Sequence, residues 1–207
     1  MKSNYYCKEV LHSYLSVKLN LSSNLEELMK VADARNIDYH NFKNSELPRV
    51  EKVLGMLKGI RPPSILDIGF GRGKFLFPYL EEFGNTNITA LEQNTKAIQD
   101  VRFLQHSYNK LSIIETDFFK NQFTDKFFHT ITALEVMEHI EDTEKFLDEC
   151  VRLAYDWIIL SVPSKEDDNP QHIHLFDEAK VNQLFNKYNL TPKYEYVLNH
   201  MIIKVKI

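Results

Sequence analysis

The sequence predicts an α/β fold: a mostly parallel sheet covered by helices on both faces, behind an N-terminal helical extension. Three observations predict it. From Pro62 onward, short apolar runs alternate with helix-like segments, as expected of parallel strands buried on two sides. One of these runs leads into a glycine-rich loop and then a helix, over Ile65 to Leu76. The chain closes with two strand-like runs joined by a short link, which requires an antiparallel pairing.

The first sixty residues read as helical. Val10, Leu11, Tyr14 and Leu15 recur at helical intervals, as do Leu25, Leu28, Met29 and Ala32. Ser22, Ser23 and Asn24 are candidate caps for the second helix. Asn41 to Pro48 is polar and turn-like. Val50, Val53, Leu54 and Leu57 form the stripe of a third helix, which Gly59 is expected to end and Arg61-Pro62-Pro63 to stop. Strands follow at Ser64 to Ile68, Asn87 to Leu91, Leu111 to Glu115, Phe127 to Leu134 and Trp157 to Val162. Helices are expected from about Gly73 to Phe83, within Asn94 to Lys110, at Asp142 to Ala154 and at Asp177 to Tyr188. Thr191 to Leu198 and Met201 to Ile207 form the closing hairpin, linked across Asn199-His200.

At 207 residues the chain suits one substantial core. Its 43% hydrophobic and 26% charged residues are ordinary for a globular domain, and 14 Phe and 10 Tyr against 6 Gly argue against disorder. The formal charge of −4 lacks the basic footprint of a duplex-binding protein. The two cysteines, Cys7 and Cys150, fit no metal spacing and read as free thiols in a reducing compartment. No signal-peptide core and no run of membrane-spanning length is visible, so the cytoplasm is the expected location.

The sharpest motif is ILDIGFGRGKFL, Ile65 to Leu76. A strand delivers Asp67, then Gly69, Gly71 and Gly73, to a helix start. Glycines there permit a tight turn and close approach of a ligand to the backbone. Free N–H groups at a helix start suit a ligand carboxylate. Asp67 is suited to orient the loop or accept from an ammonium group. Two other glycine motifs are excluded. The dinucleotide fingerprint would need glycine where Lys74 stands. A phosphate-binding loop would need glycine at Ile68 and Ser or Thr at Phe75.

Glu92 lies nineteen residues after Gly73, at the end of the second strand. An acidic group there is able to accept from both hydroxyls of a ribose. The third strand runs into Glu115-Thr116-Asp117-Phe118, where a carboxylate and an aromatic ring suit an adenine, or the ring simply fills core.

This combination resembles the class I S-adenosylmethionine-dependent methyltransferases. DIGFGRG is similar to their first motif, Glu92 to their ribose-binding acid and TDFF to their adenine-side segment. ITALEVMEHIED resembles the fourth-strand motif of the ubiquinone-biosynthesis-type enzymes. The resemblance covers Pro62 to Ile207. It implies a Rossmann-like sheet of seven strands with an antiparallel C-terminal strand, S-adenosyl-L-methionine as cofactor and a methyltransferase domain at 62–207. Residues 1–61 then form a helical lid or an oligomerisation extension. The implied cofactor set is Asp67, Gly69, Phe70, Gly71, Gly73, Glu92, Gln93, Asp117, Phe118 and Glu135. Phe70 departs from the family, which usually carries a small residue or cysteine there.

The acceptor chemistry is expected near Glu138, His139, His172 and His174. Glu135 and His139, four apart, would share one face of a helical turn. Three roles compete for these residues: a general base, a metal site, or structure alone. Glu135-x-x-Glu138-His139 is similar to the metal motif of small-RNA 3′-end 2′-O-methyltransferases, but HIHLFD matches their later histidine signature poorly, and no metal is assigned. Between Glu135 and Glu149 stand seven acidic residues and one lysine, a surface that repels a phosphate backbone. A small-molecule acceptor therefore leads over RNA. The aromatic residues Tyr5, Tyr6, Tyr39 and Phe42 suit an acceptor wall or a core equally. No membrane partner is expected, and the chain is read as a monomer or homodimer. The rival of another kind is a non-catalytic methyltransferase-like partner or regulatory protein.

Overall fold

The structure is a computed structural model that describes residues 6–43, 46–166 and 168–207. Three helices lead the chain: α1 (Lys8–Leu19), α2 (Leu25–Ala34) and α3 (Pro48–Ile60). Asn24 caps α2 by accepting from the Glu27 N–H at 3.0 Å, and Glu26 and Glu27 place negative charge in its first turn. Pro48 occupies the first turn of α3, where its missing donor costs nothing. Gly59 does not end that helix. Ile60 is its last residue, and Arg61 turns left-handed (φ 53°) before the two prolines.

The core then runs β1 (Ser64–Ile68), α4 (Leu76–Phe83), β2 (Asn87–Glu92), α5 (Thr95–Val101), β3 (Leu111–Glu115), β4 (Phe128–Leu134), α6 (Thr143–Leu153), β5 (Ala154–Pro163), α7 (Glu178–Asn186), β6 (Lys193–Val197) and β7 (His200–Lys206). The helix expected from Gly73 starts at Leu76, because the positive φ angles of Gly71 and Gly73 lie outside helical space. The segment after Asn94 divides into α5 and a 3₁₀ run, Arg102–His106, which buries Leu104 beside α1. The hairpin link sits one residue earlier than expected, at Leu198 and Asn199, with Leu198 left-handed (φ 52°).

The seven strands form one sheet in the order β3-β2-β1-β4-β5-β7-β6. Pairings from β3 through β5 are parallel, while β7 pairs antiparallel with both β5 and β6. Successive strand residues point to opposite faces: Ile65 joins the hydrophobic cluster containing α1 to α5, and Leu66 joins the cluster containing α6 and α7. The first cluster is continuous from the N-terminal helices to α4 and α5. Phe42 stacks between Tyr14 (4.4 Å) and Phe77 (4.5 Å), and Tyr39 is also buried, so both rings serve as core. Tyr5 lies outside the described residues. No helix among the described residues is long and apolar enough to cross a membrane.

Candidate active site

The chain order reverses direction at β1, with β2 on one side and β4 on the other. Open α/β sheets form their ligand crevice at the carboxyl ends of strands at such a point. The glycine loop leaves β1 there. Gly69 (φ 68°) would place a Cβ 2.8 Å from Val136 Cγ2, and a Cβ on Gly73 (φ 73°) would fall inside the Phe77 ring. Both positions therefore require glycine on conformation and space together. The Gly69 N–H donates to the Leu91 carbonyl at 2.8 Å and the Gly73 N–H to the Phe70 carbonyl at 2.8 Å, which fixes the loop against β2.

Asp67 is almost wholly buried beneath this loop (2% exposed). Thr132 Oγ1 donates to its Oδ1 at 2.9 Å, while Oδ2 has no hydrogen-bond partner among the described residues. Burial pushes the Asp67 carboxyl up to about 7; the Thr132 hydrogen bond opposes the shift and the charge of Glu92 adds to it. Such an orphaned acid sits ready for a cationic group. Glu92, at the end of β2, accepts from the N–H groups of Gly71 (2.9 Å), Gln93 (2.8 Å) and Asn94 (2.9 Å). Gln93 takes part through its backbone and its side chain is exposed. Asp117 caps a 3₁₀ turn by accepting from the Phe119 N–H at 3.0 Å. Phe118 is 6% exposed, with its ring 5.2 Å from that of Phe146.

On the other side of β1 a cavity of about 600 Å³ opens, lined among others by Asp67, Gly69, Phe70, Gly71, Glu135 and His139. Glu135 departs from the helical placement. It is left-handed (φ 58°), and the 3₁₀ turn that follows spans only Met137–His139, so Glu135 and His139 share no helix face. Instead, Glu135 accepts from Ser161 Oγ at 2.6 Å and faces His200 Nε2 at 3.1 Å. His139 Nδ1 lies 2.9 Å from the Gln171 carbonyl oxygen. A carbonyl only accepts, so Nδ1 carries the proton and Nε2 presents a lone pair.

The structure joins three of the four expected acceptor-side residues. Ligand atoms of Glu138, His139 and His172 lie within 4.8 Å of one another. Glu138 is fully buried, its carboxylate 4.0 Å from His172 Nε2. The His139 and His172 rings meet edge-on at 4.8 Å between centroids. His174 stands apart, its Nε2 3.4 Å from the Glu141 carbonyl oxygen, and does not line the cavity. Arg49, Thr132, Ser161 and His200 were missed in the sequence. They come from α3, β4, β5 and β7, and no linear motif joins them.

Fold and loop together define a Rossmann-like architecture, similar to that of the class I S-adenosylmethionine-dependent methyltransferases. Residues 66–155 match the Methyltransferase domain family. A SAM-dependent methyltransferase from Aquifex aeolicus superposes with a TM-score of 0.63 at 18% identity, over 76% of this chain and 89% of that one. Magnesium protoporphyrin IX methyltransferase from Synechocystis PCC 6803, solved with bound SAH, superposes at 0.61 with 14% identity, over 77% and 82%. Norajmaline N-methyltransferase of Rauvolfia serpentina is 29% identical over 96 residues, 45% of this chain and 33% of that protein. The match thus spans about a third of that curated relative.

Proposed function

We propose that the chain transfers a methyl group from S-adenosylmethionine to a small-molecule acceptor. One observation carries this reading. The glycine loop, Asp67 and Glu135 of the cofactor set, and the acceptor-side residues His139 and His172, all line one cavity at the switch point of the sheet. The family match, and relatives that methylate norajmaline and magnesium protoporphyrin IX, support it. ITALEVMEHIED supports placing the chain near the ubiquinone-biosynthesis type. The buried free thiols Cys7 and Cys150 suit a reducing, cytoplasmic setting.

Asp67 would hold the cofactor's ammonium group, with Gly69, Gly71 and Gly73 and the wall at Phe70 around its amino-acid end. Glu92 would receive the ribose hydroxyls, beside Gln93, with Asp117 and Phe118 toward the adenine. The cofactor supplies an electrophilic methyl group. An oxygen or nitrogen acceptor loses a proton as it is alkylated, and His139 Nε2 is the free lone pair on the cavity wall that can take it. Glu138 and His172 stand beside the imidazole, their ligand atoms within 4.8 Å of its own. Residues 1–61 border the cavity through Arg49 and Val50, which supports the lid role.

Calorimetry with S-adenosylhomocysteine tests the assignment. Glu92→Ala should weaken binding about tenfold or more, roughly the 1.4 kcal/mol of one charged hydrogen bond. Unchanged affinity would contradict it. A second reading, a metal-dependent RNA 3′-end 2′-O-methyltransferase, is favoured by the convergence of Glu138, His139 and His172. Stoichiometric metal in the purified protein, with turnover lost to a chelator, would select it.

A further inference from the structure

Arg49 enters the cavity from the first turn of α3. Its side chain is only 20% exposed and makes no hydrogen bond among the described residues. Its ion-pair partner among the described residues is Glu135, 3.8 Å from Nε and beyond hydrogen-bond reach. Glu135 is already engaged on both oxygens, by the Ser161 hydroxyl at 2.6 Å and by His200 at 3.1 Å. The guanidinium of this four-fifths-buried side chain thus faces the cavity with no hydrogen-bond partner among the described residues.

Its planar fork of donors matches a two-oxygen anion. The rest of the cavity agrees in sign. Arg72 and Lys74 line it along with Arg49, against the carboxyls of Asp67 and Glu135. Burial moves the Asp67 carboxyl up to about 7, so its negative charge is incomplete near neutrality. Phe70, Phe75 and Leu134 supply an apolar wall beside the cations. An apolar body with one anionic end fits such a cavity.

We propose that Arg49 is the carboxylate anchor of this cavity, pairing in bidentate fashion with a ligand carboxylate at the end of β4. The inference rests on the methyltransferase reading, which supplies two sources of that carboxylate: the amino-acid end of the cofactor, or an acidic acceptor. Glu135 then acts as a positioning residue, holding the guanidinium toward the cavity through long-range attraction.

Two matched pairs of probes test it on the full chain. The first pair is S-adenosylhomocysteine against 5′-methylthioadenosine, which lacks the amino-acid end. The second is benzoate against benzamide, titrated into protein saturated with S-adenosylhomocysteine. Arg49→Met is expected to weaken the acidic member of one pair at least tenfold and to leave its neutral partner within twofold. Arg49→Lys, which keeps the charge and loses the fork, should fall between. Loss confined to the first pair assigns the carboxylate to the cofactor, and loss confined to the second assigns it to the acceptor. If Arg49→Met changes neither discrimination while S-adenosylhomocysteine still binds, the anchor is refuted and the methyltransferase reading survives. If the wild-type chain binds neither adenosyl probe, both fail together. Equal loss for acidic and neutral members would mark a purely structural role and also overturn the anchor. The melting temperatures of both variants report any general loss of fold.

Discussion

Over β1 and β2 the site is organised by backbone: the glycine loop, three N–H groups gathered on Glu92, and one buried acid. Over β4, β5 and β7 it is organised by side chains: Glu135, held by Ser161 and His200, with His139 and, from α3, Arg49. The first region is compact in sequence, since Asp67 to Glu92 spans one strand–loop–helix–strand unit. The second is assembled from elements far apart in the chain. Backbone recognition suits a ligand shared by many enzymes. Side chains from separate elements can be exchanged singly, so under the proposed function acceptor specificity would fall where change is cheapest.

The largest expected effect breaks the backbone region. Gly73→Ala combines a left-handed φ with a Cβ inside the Phe77 ring, and Phe77 is itself stacked on Phe42. The expected cost is about 3 kcal/mol or more, seen as a lower denaturation midpoint together with loss of S-adenosylhomocysteine binding. A variant with wild-type stability would show that the loop relaxes more easily than its contacts imply.

The side-chain region should respond differently. His139→Ala is expected to lower kcat about a hundredfold with an oxygen or nitrogen acceptor, leaving cofactor affinity within twofold. Equal losses in kcat and cofactor affinity would place His139 with the cofactor instead. The contrast between this variant and Glu92→Ala is the sharpest division of the two regions.

Asp67 joins them and gives a smaller change in ligand affinity than Gly73→Ala but the most pH-specific effect. Its folded pKa of about 7 lies above the ordinary 3.8. The neutral acid is thus favoured in the folded chain, and ligand-free stability declines as pH rises from about 4 to 7. Above 7 the penalty is complete, on the order of a few kcal/mol. Asp67→Asn should therefore melt above the wild type at pH 8, with the gap closing toward pH 4. The same variant should bind S-adenosylhomocysteine about tenfold more weakly at pH 8, because the ammonium loses its counter-charge. A wild-type melting temperature that rises between pH 5 and 8 in the absence of ligand would contradict the burial argument.

Much of the fold was legible because its signals are local. The seven strands, the position of the glycine loop and the antiparallel ending follow from apolar runs of strand length and short links. Asp142 and Asp177 cap α6 and α7 by accepting from Lys145 and Lys180, so those helix starts could be read to the residue. The errors fell where backbone conformation overrides pattern. Gly59 lies inside α3 because a helix tolerates one glycine at modest cost when the stop comes from prolines. Glu135 to His139 looked helical by spacing, yet a left-handed Glu135 swings its carboxylate toward Ser161.

The amino-acid sequence by itself determined the alternating architecture, the loop that must be glycine, and the acids at the ends of the first two strands. Periodicity, special backbone angles and capping act over a few residues, so they are written in the order of the chain. Only the tertiary structure decided that Arg49, Glu135, Ser161 and His200 meet, that His172 joins His139 while His174 does not, and that Asp67 is buried deeply enough to raise its carboxyl to about 7. Those outcomes depend on which strands lie side by side and how much water they exclude, and neither quantity has a local signature.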